Sequence, residues 1–243
     1  MARSKGLLAA LAAVLLAASA FALYVSDYYH ADETALAALV SDDVAVEQTD
    51  FGWFFDGPSE DAALVFYPGG KVDETAYAPL LHRLARQGPD VFLVKMPFRL
   101  AVFDVNAAED VMARYDYDAW YVGGHSLGGA MAARCAAAHG DTLDGVILCA
   151  AYLTRPLDED LTALLLLGSQ DGIVSPAQIA DGRQYAPARY TEAVIPGGNH
   201  AQFGSYGPQA GDEEAAISAE EQQKQAADII LAEVAKTAGG AVS

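Results

Sequence analysis

The chain has 243 residues, enough for one well-buried domain and too few to favour a second independent core. Its 33 acidic residues against 14 basic ones give a formal charge of -19 at pH 7. That charge repels a phosphate backbone and leaves no basic stripe, so a nucleic-acid partner is set aside. High-salt habitat and a plain acidic surface are equally good readings of the surplus.

The first segment differs from the rest. "MARSK" carries Arg3 and Lys5, and "GLLAALAAVLLAASAFALYV" then runs through residues 6–25 without a charge. About 20 apolar residues cross a bilayer core, whereas a signal-peptide core is about 7 to 15. The length favours an uncleaved anchor, and Tyr24, Tyr28 and Tyr29 suit an interfacial aromatic belt. A cleaved signal is the competing reading, because Ala18-Ser19-Ala20 and Ala20-Phe21-Ala22 fit the small-x-small pattern. Since the positive residues precede the run, both readings send the remainder across the membrane, either as a single-pass cell-membrane protein or secreted. The expected division is an anchor and juxtamembrane segment at 1–30 and a folded domain at 31–243.

"VAVEQTDFGWFFDG" predicts two short strands, and "AALVFYPGG" a buried one ended by Pro68-Gly69-Gly70. "YAPLLHRLARQG" has helical spacing at Leu80, Leu81, Leu84 and Ala85 before Gly88. "DVFLVKMPF" reads as a strand, "AAEDVMARY" as a helix and "AWYVGG" as a strand, followed by the alanine-rich helix of "LGGAMAARCAAAHG". "LDGVILCAAY", "LTALLLLGSQDG" and "RYTEAVIPGG" are three further strands. Ser218 to Glu221 forms a capping-box pattern before a last helix whose Ala226, Ile229, Ile230 and Val234 can face a core. Alternating apolar strands and helices predict an α/β fold, a three-layer α/β/α sandwich around a mostly parallel sheet, preceded by one transmembrane or signal helix. Ligands of such sheets sit beyond the carboxyl ends of the strands, which directs attention to the loops there.

Gly124-His125-Ser126-Leu127-Gly128 matches G-x-S-x-G, a weak pattern alone. Its place between a predicted strand and a predicted helix gives it weight, because that turn lifts a serine side chain above the sheet while the flanking glycines relieve crowding. A serine hydroxyl needs a base to take its proton. Of five histidines, His30 lies beside the apolar segment, His82 in a helical run, and His139 at a helix end. His125 adjoins Ser126, where a sharp turn points the two side chains apart. His200, in "IPGGNHAQFGSYG" after a strand, is left as the base. Asp171, directly after "LTALLLLGSQ", is the candidate to orient it; Asp158, Glu159, Asp160 and Asp181 sit in solvent-like runs. The acyl oxyanion requires backbone N–H donors. Leu127 supplies one, and Gly69-Gly70-Lys71 the other, with Gly70 first and Gly69 and Lys71 as alternates. Cys135 and Cys149 fall in apolar runs and are expected as buried free thiols, although a disulfide is permitted outside the cytoplasm. No cysteine-histidine spacing suggests a metal, and no cofactor is implied.

With these residues in place, the chain resembles serine hydrolases of the α/β-hydrolase superfamily, especially small bacterial members of dienelactone-hydrolase-like or α/β-hydrolase fold-5 type. The resemblance runs through "FYPGGKV", "VKMPF", "GGHSLGGAMAA" and "GGNHAQFGSYG" and covers roughly residues 27–236. It departs in two places: Pro68-Gly69 stands where many relatives have His-Gly, and Ser126 where dienelactone hydrolases use cysteine. The resemblance therefore implies carboxylic-ester (or thioester or lactone) hydrolysis through a Ser126-Asp171-His200 triad, without fixing a lactone substrate. "LTRPLDED" is too short for the lid of larger relatives, so an open site is expected, with Met96, Pro97 and Phe98 as candidate pocket residues. An open cleft facing the cell exterior suits a small ester or exposed acyl substrate better than a long buried lipid chain. The same residues would also serve an acyltransferase, and a non-catalytic binding protein on this fold is the remaining alternative.

Overall fold

The computed structural model describes residues 2–240, apart from the side chains of residues 2–5, 8, 9 and 237–240. Helix α1 (Ala2–Ser26) leads into α2 (Glu33–Ala38), and the chain then enters the antiparallel pair β1 (Ala45–Thr49) and β2 (Gly52–Asp56). Strand β3 (Ser59–Tyr67), helix α3 (Ala78–Ala85) and strand β4 (Pro89–Val94) follow, then α4 (Ala107–Met112), β5 (Ala119–His125), α5 (Leu127–Ala136) and β6 (Gly145–Cys149). The last elements are β7 (Thr162–Gly168), α6 (Pro176–Gly182), β8 (Arg189–Ile195) and α7 (Ala219–Gly240).

The eight strands form one sheet in the order β1-β2-β4-β3-β5-β6-β7-β8. β2 meets β4 antiparallel, and every pairing from β4 to β8 is parallel. Parallel strands covered on both faces read as continuous apolar runs, and β4 and β6 are buried at every position. Alternation along β3 assigns the faces: Leu64 and Phe66 pack with α3 and α7 residues such as Leu80, Leu84 and Ile230. Ala63, Val65 and Tyr67 point the other way, into a cluster with Val111 of α4, Ala132 of α5 and Ile179 of α6. The expected three layers are thus present.

The described side chains of α1 belong to neither cluster. The segment after it is stitched to the domain: Tyr29 donates its N–H to the Lys71 carbonyl at 2.8 Å, and Asp32 donates to the Ser205 carbonyl at 2.9 Å. The anchor region is helical as expected, but among the described residues no helix is long and apolar enough to cross a membrane. Cys135 and Cys149 are free and buried, and burial pushes their thiols up to about 11 and about 12.

Candidate active site

The parallel register brings the carboxyl ends of β3, β5, β7 and β8 to one edge, pairing Tyr67 with Gly124, His125 with Cys149, and Gly168 with Ile195. Between β5 and α5, Ser126 adopts φ 53 and ψ -121, a conformation that a residue with a Cβ seldom takes. A buried bond holds it there, from the Ser126 N–H to the Cys149 carbonyl at 2.9 Å. Close approach explains the flanking glycines. A Cβ on Gly124 would stand 2.6 Å from the Tyr67 carbonyl oxygen, and one on Gly128 would stand 2.3 Å from the carbonyl oxygens of both Tyr67 and Pro68. The elbow is pressed against the end of β3, and only hydrogen fits in the gap.

His200 and Asp171 meet in the buried part of this edge. His200 Nδ1 lies 3.0 Å from Asp171 Oδ2, with the side chains 0% and 5% exposed. The other Asp171 oxygen accepts from the N–H groups of Ile173 at 2.8 Å and Val174 at 2.9 Å. Burial by itself would raise the Asp171 carboxyl, but the hydrogen bond and charge of His200 and these two amides hold it below the usual value. His200 Nε2 is buried and has no hydrogen-bond partner, so the ring edge opposite Asp171 is free to accept a proton. Ser126 is tied to this histidine through its neighbour rather than by a bond of its own. His125 Nε2 reaches the His200 carbonyl at 3.0 Å, and the two imidazole rings lie 4.6 Å apart.

His125 is more than a spacer between Gly124 and Ser126. Tyr77 Oη accepts from the Gly69 N–H at 3.0 Å and so donates its own proton to His125 Nδ1 at 2.8 Å. That fixes His125 with its proton on Nε2, donating to His200. Complete burial holds His125 well below the ordinary histidine value, and the adjacent His200 lowers it further against the opposing effect of its carbonyl. One neutral relay therefore connects the loop after β3 to the backbone of His200. It also sorts the three candidate amides of that loop. The Gly69 N–H is used by Tyr77, and the Lys71 N–H donates to the Arg99 carbonyl at 2.9 Å. The Gly70 N–H makes no such bond, and Gly70 abuts Leu127, whose Cδ2 would lie 2.8 Å from a Cβ at position 70. Leu127 opens α5, where its N–H has no intrahelical acceptor. The amides of Gly70 and Leu127 are thus both unclaimed, on two residues in contact at the elbow.

Asp212 was not recognised in the sequence. Its carboxylate accepts from Gly172 at 3.0 Å, His200 at 3.3 Å and Ala201 at 2.9 Å, tying the loop after Asp171 to the loop of His200. Nothing in "QAGDEEAA" marks it, because apart from the adjacent Glu213 its partners are backbone amides 40, 12 and 11 positions away. The histidines set aside have partners elsewhere: His82 lies 3.2 Å from Asp43, and His139 lies 2.7 Å from Glu109. Of the tentative pocket residues, Met96 is buried in the core on the α4 and α5 face, Pro97 is exposed, and Phe98 is exposed with φ 55. Lys71 pairs with Asp27 at 3.2 Å and stays at the rim. A cavity of about 560 Å³ behind the His200 loop is lined by Asn199, Gln202, Ser205 and Asp212, without Ser126. Among the described residues, no group of three or more His, Cys, Asp or Glu side chains is placed to hold a metal ion.

This sheet order, with a serine on a strained strand-to-helix turn and an Asp-His pair on the neighbouring loops, is the arrangement of the α/β-hydrolase fold. Sequence comparison agrees: the profile of the Alpha/beta hydrolase family matches residues 63–224, and the chain belongs to that family. A comparison with curated protein sequences gives no significant match. Among solved structures, it is similar to a membrane phospholipase A described as a bacterial virulence factor, at 12% identity and TM-score 0.63, covering 96% of this chain and 99% of the other. It is also similar to Est1E from Butyrivibrio proteoclasticus, at 18% identity and TM-score 0.55, covering 79% and 99%. A carboxylesterase from Mesorhizobium loti gives 16% identity and TM-score 0.55, covering 80% and 99%. At these identities the likeness is one of fold.

Proposed function

We propose that this chain hydrolyses carboxylic esters through an acyl-enzyme, with Ser126 as nucleophile, His200 as base and then acid, and Asp171 holding His200. The observation that carries the reading is the buried Asp171-His200 pair at 3.0 Å with Nε2 left unpartnered. In the first half-reaction, the Ser126 Oγ–H proton passes to His200 Nε2 as Oγ attacks the ester carbonyl carbon. The oxyanion forms beside the N–H groups of Leu127 and Gly70. His200 then protonates the leaving alcohol as the C–O bond breaks. Water repeats the sequence on the acyl-enzyme and releases the acid. Thioesters and lactones offer the same electrophilic carbonyl and fall within this reading.

Ser126→Ala is expected to abolish labelling by a fluorophosphonate probe and to lower turnover of short aryl esters by about 10⁴-fold or more. Retained turnover in that variant would remove Ser126 from the mechanism.

The domain is further proposed to act outside the cytoplasm, tethered through α1. This rests on the sequence, where Arg3 and Lys5 precede an uncharged run at residues 6–25 that matches a bilayer core in length, and not on the described part of α1, which is not long and apolar enough to cross a membrane. Contact of Phe21 with the domain supports retention of the helix, with its ring 5.2 Å from that of Phe98. The mass of the mature N-terminus tests it, since cleavage after Ala20 or Ala22 would leave a fragment starting at Phe21 or Leu23.

A further inference from the structure

One apolar surface lies exposed among the described residues of this molecule and ends at the candidate oxyanion site. Along α1, Leu7, Leu11, Val14, Leu15, Leu16, Leu23 and Tyr24 are all more than half exposed. At 3.6 residues per turn these positions encircle the helix rather than forming one stripe. A protein groove covers one face of a helix; only a surrounding apolar medium covers all of them. The surface then continues onto the domain. Phe21 packs edge-on against Phe98 at 5.2 Å and Phe103 at 5.9 Å, and those two rings meet at 5.6 Å. Phe98, Val102 and Phe103 are nevertheless 54%, 47% and 53% exposed.

The border of this surface is built from aromatic rings and cations. The Lys71 ammonium lies over the Tyr24 ring at 4.4 Å, and the Arg99 guanidinium over the Tyr28 ring at 3.5 Å. In a chain with 33 acidic and 14 basic residues, two cations on tyrosines at this boundary form the headgroup-level arrangement of an interfacial segment. The same residues touch the active-site loop. The Lys71 N–H donates to the Arg99 carbonyl at 2.9 Å, and Leu100 Cδ2 would lie 3.7 Å from a Cβ on Gly70.

We infer that the end of α1 and the loop at residues 97–103 seat the catalytic mouth on a lipid bilayer, and that the substrate is an acyl ester carried in that bilayer. The substrate part of this inference rests on the hydrolase reading above. The seating does not. It also explains how a lidless site handles a long acyl chain: the bilayer holds the chain, and the cleft admits only the ester. Phe103 and Val102 then enter the acyl region while Lys71 and Arg99 remain at headgroup level.

Two measurements on the full-length protein bound to phosphatidylcholine vesicles test this. In the first, a single Phe103→Trp substitution reports on seating, with the unsubstituted chain giving the Trp53 and Trp120 background. Its added fluorescence is expected to shift to the blue on vesicles and to be quenched by lipids brominated on the acyl chain. An added signal that is unshifted and unquenched overturns the seating. In the second, Val102→Asp is assayed on a water-soluble short aryl ester and on a long-chain ester dispersed in the vesicles. A charge at this depth is expected to lower the vesicle-borne rate by about tenfold or more while the soluble rate stays within about twofold. Unchanged rates on both substrates, or equal fold-losses on both, overturn the inference about substrate. Failure of the hydrolase reading looks different, because turnover would then survive Ser126→Ala with lipid quenching intact.

Discussion

A buried histidine that cannot take a proton makes folding depend on pH, and His125 is such a residue. Its Nδ1 accepts from Tyr77 and its Nε2 donates to the His200 carbonyl, so protonation would break the first bond and put a charge in a fully buried site. The folded state therefore keeps His125 neutral well below its ordinary value, while the unfolded chain binds a proton near pH 6.5. Below that pH the unfolded state holds more protons, so stability is fully present above it and falls as the solution is acidified. Between pH 7 and pH 5.5 this one residue is expected to remove about 1 kcal/mol, read as a lower urea midpoint. His125→Gln should be less stable at pH 7 but lose less on acidification; identical pH slopes for the two proteins would show that His125 is protonated when folded. The sequence identified this residue only by its position, one before Ser126. Its role depends on Tyr77, 48 positions earlier, and on a carbonyl 75 positions later, and no local pattern encodes such pairings.

At the scale of elements, the elbow is where local sequence and global packing specify one another most tightly. Adding a single methyl group at Gly128 places carbon 2.3 Å from two backbone oxygens of the β3 loop, which cannot rotate aside. Gly207 differs, since it has φ 82 but nothing within 4 Å of an added Cβ. Gly207→Ala should cost about 1 kcal/mol of backbone strain, while Gly128→Ala should cost about 2 kcal/mol or more and displace Ser126. Thermal unfolding and ester turnover measured on both variants check the ranking, and equal effects would mean that the elbow can relax. The elements flanking the elbow were legible because long apolar runs leave a strong signal. α2 and α6 were missed for the opposite reason: each is about two turns long and buries one or two small or isolated side chains. α6 did carry a readable sign, a capping box between Ser175 and Gln178 with proline at its first turn, the same pattern that revealed α7 from Ser218. The early part of β3 was also missed, because Glu60 and Asp61 interrupt the apolar run there.

Over the whole molecule, the charge of -19 is the largest feature that neither fold nor site requires. Few of its acidic groups are neutralised by well-placed bases, and several of the ion pairs involve strongly exposed carboxylates, such as Arg114 with Asp50 and Arg83 with Glu220. Exposed pairs of this kind contribute about 0 to 1 kcal/mol each, too little to offset repulsion spread over the surface. That repulsion is long-ranged at low salt and short-ranged at high salt, since the Debye length contracts from about 10 Å at 0.1 M to about 3 Å at 1 M. Compaction concentrates the charges, so the folded state suffers more from unscreened repulsion than the unfolded chain does. Sodium chloride is therefore expected to stabilise the protein by about 1 kcal/mol across this range, or about 2 to 4 °C in melting temperature. Bonds buried at the site, such as His200 with Asp171 at 0% and 5% exposure, lie beyond the reach of this screening. Ester turnover per folded molecule should consequently change much less than the melting temperature. A melting temperature that falls as salt is added would mean that attractive surface pairs, not net repulsion, dominate the electrostatics of this chain.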